Sequence, residues 1–68
     1  MIVRVNGEHR DVADGATVAD VVETLDIGGD RRGVAVAVDA EVVPRGQWEQ
    51  RVLAPEASVE VLTAIQGG

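Results

Sequence analysis

A chain of 68 residues, 46% of them hydrophobic and with Trp48 as its one aromatic, holds material for one small domain with an aliphatic, Val-rich core. It has no Cys, and all six basic residues are Arg; this excludes disulfides, a thiolate nucleophile, a Lys Schiff base and a Lys attachment point, and the single His argues against structural zinc. A net charge of −6 repels nucleic-acid phosphates and favours partners with basic surfaces, and no apolar run nears the roughly 20 residues that cross a bilayer.

The opening Met1-Ile2-Val3-Arg4 lacks the basic-then-apolar layout of a signal peptide, so a cytoplasmic location is the expectation. Met1 to Val5 alternate, with Met1, Val3 and Val5 on one face and Ile2 and Arg4 on the other, the period of a half-buried strand. Asn6-Gly7 predicts a hairpin turn, because both residues tolerate positive φ. A second short strand follows over Glu8 to Val12, weakly patterned since His9, Arg10 and Asp11 are all polar. Asp14-Gly15 breaks the chain. Thr17 then stands as a helix N-cap, with Asp20 three residues on in the place of a capping-box acid. Val18, Val21, Val22 and Leu25 recur at i, i+3, i+4 and i+7, one apolar helical face. Val is a weak helix former, so this helix depends on a sheet behind it. Gly28-Gly29 predicts its end.

Past the polar connector Asp30-Arg31-Arg32-Gly33, the run Gly33 to Asp39 reads as a strand with Val34, Val36 and Val38 on one face and Ala35 and Ala37 on the other. A tight turn at Asp39-Ala40 leads into Glu41-Val42-Val43, which Pro44 ends because it has no N–H for a ladder. Arg45 to Gln50 is a loop with one helical turn around Trp48, whose ring is expected against the sheet rim near Pro44. Val52-Leu53 reads as a short edge segment and Pro55-Glu56-Ala57 as a turn. Ser58 to Ile65 alternates again, with Val59 and Val61 inward. The order predicts an α+β fold, a ubiquitin-like β-grasp whose mixed sheet of four to five strands is crossed by one helix, with the first and last strands as parallel neighbours in mid-sheet. The domain is expected over residues 1–65, and 66–68 as a flexible Gly-Gly tail.

Side-chain chemistry is thin along this chain. His9 sits beside a turn and reads as surface. Ser58 has no His or Lys near it in sequence. Asp39 and Glu41 fit a solvated turn better than a metal site, and Arg31-Arg32 a solvated loop better than an anion site. Gly28-Gly29 follows a helix and does not open one, so it is not a phosphate loop. No catalytic side chain, metal site or bound cofactor is expected. The terminus remains: Gly67 and Gly68 make a thread thin enough for a narrow cleft, and it ends in a carboxylate that a partner using ATP can turn into an acyl-adenylate. Two terminal glycines by themselves fit a frayed end better; joined to a β-grasp pattern that runs straight into them, they fit a carrier better. By alternation Ile2, Ala35, Ala37 and Leu62 share the sheet face opposite the helix. A docking face and scattered surface aliphatics account for them equally well.

Several stretches resemble the ThiS family, the sulfur carrier proteins of thiamine thiazole biosynthesis, across essentially the whole chain. They are Val5-Asn6-Gly7-Glu8, Gly15-Ala16-Thr17-Val18 with Leu25 beyond it, the run Val36 to Arg45 containing Val43-Pro44-Arg45, Trp48, and the closing Gly67-Gly68. The Val-Pro-Arg and Trp combination is the most specific of these. The terminal Gly-Gly is shared with ubiquitin and with the molybdopterin synthase small subunit; the aromatic and Pro-rich stretch that often precedes it in the latter is replaced here by Thr63-Ala64-Ile65-Gln66. The resemblance implies a protein cosubstrate and not an enzyme. An E1-like adenylyltransferase activates Gly68 with ATP and Mg²⁺. Sulfur drawn from cysteine through a cysteine desulfurase gives the Gly68 thiocarboxylate, and thiazole synthase consumes it. Gly67 keeps the tail narrow, and the free chain is a monomer. Two alternatives stay open on the residues alone: a carrier for molybdopterin or cysteine biosynthesis, and a ubiquitin-like interaction module with an inert tail.

Overall fold

The computed structural model describes residues 1–25 and 33–63. The expectations on Gly28-Gly29, on Arg31-Arg32 and on the tail with Gly67 and Gly68 lie outside the described residues.

Strands β1 (Ile2–Val5) and β2 (Glu8–Asp11) form the first hairpin, antiparallel, with Val5 opposite Glu8. Asn6 at φ 51° and Gly7 at φ 84° meet the demand of a two-residue hairpin turn for positive φ at both central positions. A Cβ on Gly7 would meet nothing within 4 Å, so backbone conformation and not crowding calls for glycine there. All four β2 residues are exposed, and their charges suit an edge strand.

Helix α1 (Val18–Thr24) starts as the capping box predicts: the Thr17 N–H donates to Asp20 Oδ2 at 2.9 Å, and the Asp20 N–H to Thr17 Oγ1 at 3.3 Å. The two N–H groups before it are also satisfied. Val18 donates to the Arg51 carbonyl at 3.0 Å and Ala19 to that of Trp48 at 3.1 Å, so the loop over Trp48 to Arg51 closes the helix start. The helix stops at Thr24, short of the predicted end at Gly28-Gly29. Leu25 is already extended, at φ −89° and ψ 139°, and the Thr24 hydroxyl takes the Val21 carbonyl at 2.7 Å. A β-branched residue that bonds its own last turn favours termination there.

The remaining strands are β3 (Val34–Val38), β4 (Glu41–Val43) and β5 (Ser58–Thr63), and the sheet order is β2-β1-β5-β3-β4. The first and last strands are parallel neighbours, Val5 beside Val59, as expected. The β3–β4 turn uses Asp39 at φ 50° and Ala40 at φ 71°. The second of these holds a Cβ in the left-handed region, at a cost of about 1–2 kcal/mol. Val52-Leu53 does not join the sheet edge: Val52 makes one antiparallel bridge to Thr17, and Leu53 is buried. A segment that closes the helix start is not free to lie along a strand.

One face of the sheet and the α1 stripe of Val18, Val21 and Val22 enclose the core with Val3, Val5, Val36, Val38, Val43, Leu53, Ala57, Val59 and Val61. Trp48 completes it at 6% exposure. A 3₁₀ turn over Arg45–Gln47 delivers it, and its indole N–H donates to the Val43 carbonyl at 2.9 Å. The Arg45 guanidinium covers the ring at 5.6 Å from its centroid. Trp48 therefore packs at the sheet rim, as the sequence suggests, and is not displayed for a partner.

Candidate functional site

Gly67 and Gly68 come four and five residues after the last residue of β5 in the sequence, so the site begins with how that strand is held. β5 is the middle strand of five. Its inner residues Val59 and Val61 are buried, and Glu60 and Leu62 face outward. On one side β3 pairs with it over five registered positions, from Val38↔Val59 to Val34↔Thr63. On the other, β1 pairs only at Arg4↔Ser58 and Val5↔Val59 before turning away. Side chains from two turns complete the hold. The Asp39 N–H donates to the Ser58 carbonyl at 2.8 Å, and the Ser58 N–H to Asp39 Oδ1 at 3.0 Å. At the far end the Val61 N–H donates to Asn6 Oδ1 at 2.8 Å, while Asn6 Nδ2 donates to the Val61 carbonyl at 3.2 Å.

The outer face beside the end of β5 is apolar. Leu62, 66% exposed, lies opposite Ala35, and Val42, 72% exposed, lies opposite Ala37. Ala37 also faces Glu60. Ala35, Ala37 and Leu62 are thus one patch, and Val42 belongs to it although its place was not foreseen. Alternation in a three-residue strand whose Val43 points inward was the available signal. Ile2 stands apart from these residues. It shares the face and is 39% exposed, but its carbonyl bonds Glu56, six residues before Leu62. With Arg4 level with Ser58, Ile2 lies two positions before that row and Leu62 four beyond it, about 20 Å apart along the sheet. The row of Arg4 and Ser58 lies between, because a shared face says nothing about distance along it.

The other residues weighed for chemistry have ordinary surroundings. His9 is exposed on β2 opposite Arg4. Glu41 pairs with Arg51 at 2.7 Å and Asp39 caps Ser58, so each carboxylate of that turn has a structural partner. Among the described residues no three metal-binding side chains gather, no polar or charged side chain is buried, and no helix is long and apolar enough to cross a membrane. Among the described residues one titration is displaced. Burial lowers the pKa of the Met1 ammonium, but hydrogen bonds to Asp11 and Asp14, with their charges, outweigh it and hold it above the ordinary value.

The ThiS family model matches residues 3–68, the terminal glycines included. The chain belongs to the ThiS family. Sulfur carrier protein ThiS of Escherichia coli (strain K12) is 31% identical over 68 residues, which is all of both chains. A crystal structure of a thiamine biosynthesis protein (ThiS) from Geobacter metallireducens superposes with a TM-score of 0.80 at 26% identity, covering both chains in full. A solution structure of a thiamine biosynthesis protein from the same organism gives 0.79 at 26% identity, covering this whole chain and 88% of the other. The sheet order and single helix found here are therefore the ubiquitin-like β-grasp of ThiS proteins. The family is one of carriers, not of catalysts, and its members work with partner enzymes in thiamine biosynthesis.

Proposed function

We propose that this chain, a sulfur carrier of thiamine biosynthesis by family, holds its sulfur as a thiocarboxylate on Gly68. The observation that carries the proposal is a family match running through residue 68, on a chain with no Cys or Lys to serve instead. The terminal carboxylate is ionised at neutral pH, with an ordinary pKa of about 3.3–3.7, and resists nucleophiles. Adenylation removes that resistance. An E1-like adenylyltransferase joins the carboxylate to the AMP moiety of ATP, with Mg²⁺ on the phosphates, and pyrophosphate leaves. Sulfide, or a persulfide from a cysteine desulfurase whose S–S bond a thiol then cleaves, attacks the acyl carbon. AMP leaves with one former carboxylate oxygen, and the thiocarboxylate remains for thiazole synthase. The chain is a cosubstrate throughout: ATP and Mg²⁺ bind the partner, and the cycle runs in the cytoplasm on a monomeric carrier.

Residues 1–65 serve as the recognised domain and 66–68 as the part that enters active sites, with Gly67 keeping the thread narrow. Partners dock on the patch of Ala35, Ala37 and Leu62, extended by Val42. Intact mass tests the chemistry. Incubation with the activating enzyme, ATP and a sulfur donor should exchange one terminal oxygen for sulfur, and deletion of Gly68 should abolish the exchange without moving the Tm. An unchanged mass, with an activating enzyme that charges another carrier in parallel, overturns the proposal. Leu62→Asp should raise KM in the same assay and leave the fold intact; an unchanged KM removes the patch from the docking surface.

A further inference from the structure

The β1 side of β5 has a gap that one side chain fills. β1 gives way to its turn after Val5, so the N–H and C=O of Val61, which point toward β1, find no strand backbone opposite them. Asn6 occupies that place. Its backbone N–H donates to the Val59 carbonyl at 2.8 Å, and its carboxamide takes both backbone groups of Val61. A carboxamide carries one acceptor oxygen and an N–H donor, the same pair that a peptide unit offers. The ladder between two elements 55 residues apart is thereby extended by one position in side-chain form. A carboxylate could accept from the Val61 N–H but has nothing to donate to its carbonyl. An aliphatic side chain would leave both unpaired.

We propose that Asn6 is a positioning residue for activation of the carrier: it secures β5 at Val61, the residue before Leu62, and so fixes the outer patch and the direction in which the tail departs. The inference rests on the proposal that Gly68 is the activated group. Gly68 is the seventh residue after Val61 in the sequence, a reach of at most about 25 Å when extended. Where that short tether starts decides where its end can go. Without the clamp, β5 is held past Val59 by β3 alone, and its end must be ordered again each time a partner binds. That cost falls on binding and not on the chemical step, because the bound geometry is unchanged once reached.

Two variants separate this role from the turn itself. Asn6→Gly removes the carboxamide and suits the φ of 51°; Asn6→Asp keeps the acceptor, tolerates the same φ and loses the donor. Both are assayed by amide hydrogen exchange at Val61 and Val59, and by steady-state thiocarboxylation with the activating enzyme at a temperature well below the Tm. The expected result for Asn6→Gly is exchange at Val61 faster by about tenfold with Val59 still protected, whereas Asn6→Asp keeps the acceptor and leaves the Val61 N–H protected. KM for the carrier should rise about five- to tenfold at unchanged kcat. Asn6→Asp supplies the KM result, through the lost donor to the Val61 carbonyl, if Asn6→Gly does not fold. A wild-type KM in a folded variant overturns the positioning role and leaves the Gly68 proposal standing. If the wild-type chain itself gains no sulfur, the Gly68 proposal falls and the positioning role with it.

Discussion

Two turns of this molecule do the same task with different side chains. Asn6 and Asp39 each open a two-residue hairpin turn, at φ 51° and 50°, and each reaches to β5, Asp39 at its start and Asn6 near its end. Asp39 stands level with Ser58, so its own N–H serves the Ser58 carbonyl and its side chain has only to accept. Asn6 spends its N–H on Val59 and must serve both groups of Val61 with its side chain. An acceptor-only carboxylate suffices in the first place, and a carboxamide is required in the second. The comparison shows that the choice between Asn and Asp in a hairpin turn can be set by a third strand, and not by the turn alone.

The largest stability change belongs to the core beneath the Asn6 clamp. Val61→Ala should cost about 1–3 kcal/mol in denaturant unfolding, because it empties a buried site at 7% exposure. It should leave the outer patch chemically as it was; a cost near zero would mean that the end of β5 contributes nothing to the fold. Asp39→Ala is next, at about 1–2 kcal/mol, from a lost hydrogen bond and from replacing a residue that tolerates the left-handed region by one that tolerates it less. Asp39→Asn keeps the acceptor and should stay within about 0.5 kcal/mol. Equal losses in both would show that the Ser58 bond is idle. Ala40→Gly should raise stability by about 0.5–1 kcal/mol, since relief at φ 71° exceeds the added entropy of the unfolded chain. A fall in Tm would mean that the second turn is not strained.

The smallest effect lies away from both turns. The Met1 ammonium has its pKa raised by Asp11 and Asp14, so the unfolded state loses this proton before the folded state does. The stabilisation is complete below the unfolded value of about 7.7–8.0 and fades as pH rises through the higher folded value. Tm should slip slightly between pH 7 and pH 10, and Asp14→Asn should reduce that slope. A Tm that rises over this range would contradict the sign.

Local patterns made much of the fold legible. Alternation in Met1 to Val5, Val34 to Val38 and Ser58 to Val61 marked the strands and their inner faces, and each inner face is in the core. Thr17 and Asp20 marked the helix start because a capping box closes within four residues. The helix end was less legible, since a diglycine is a strong stop signal and the earlier stop at Thr24 depends on a side chain bonding its own last turn. Likewise Val52-Leu53 resembles a strand by composition, and its role in closing the helix start appears only through Arg51, Val52 and Leu53 meeting Ala16 to Val18.

What the sequence by itself determined is what short-range physics encodes: most of the elements, the faces they bury, and a chain with no Cys or Lys to compete with its terminus. The tertiary structure decided which exposed aliphatics are neighbours and which turn residues hold β5. Ile2 and Leu62 share a parity but stand about 20 Å apart, and Asn6 meets Val61 across 55 positions of chain. Parity repeats every two residues and carries no register. Register is set by which strands pair and where they stop, and it was the early stop of β1 beside a longer β5 that gave the Asn6 side chain its place.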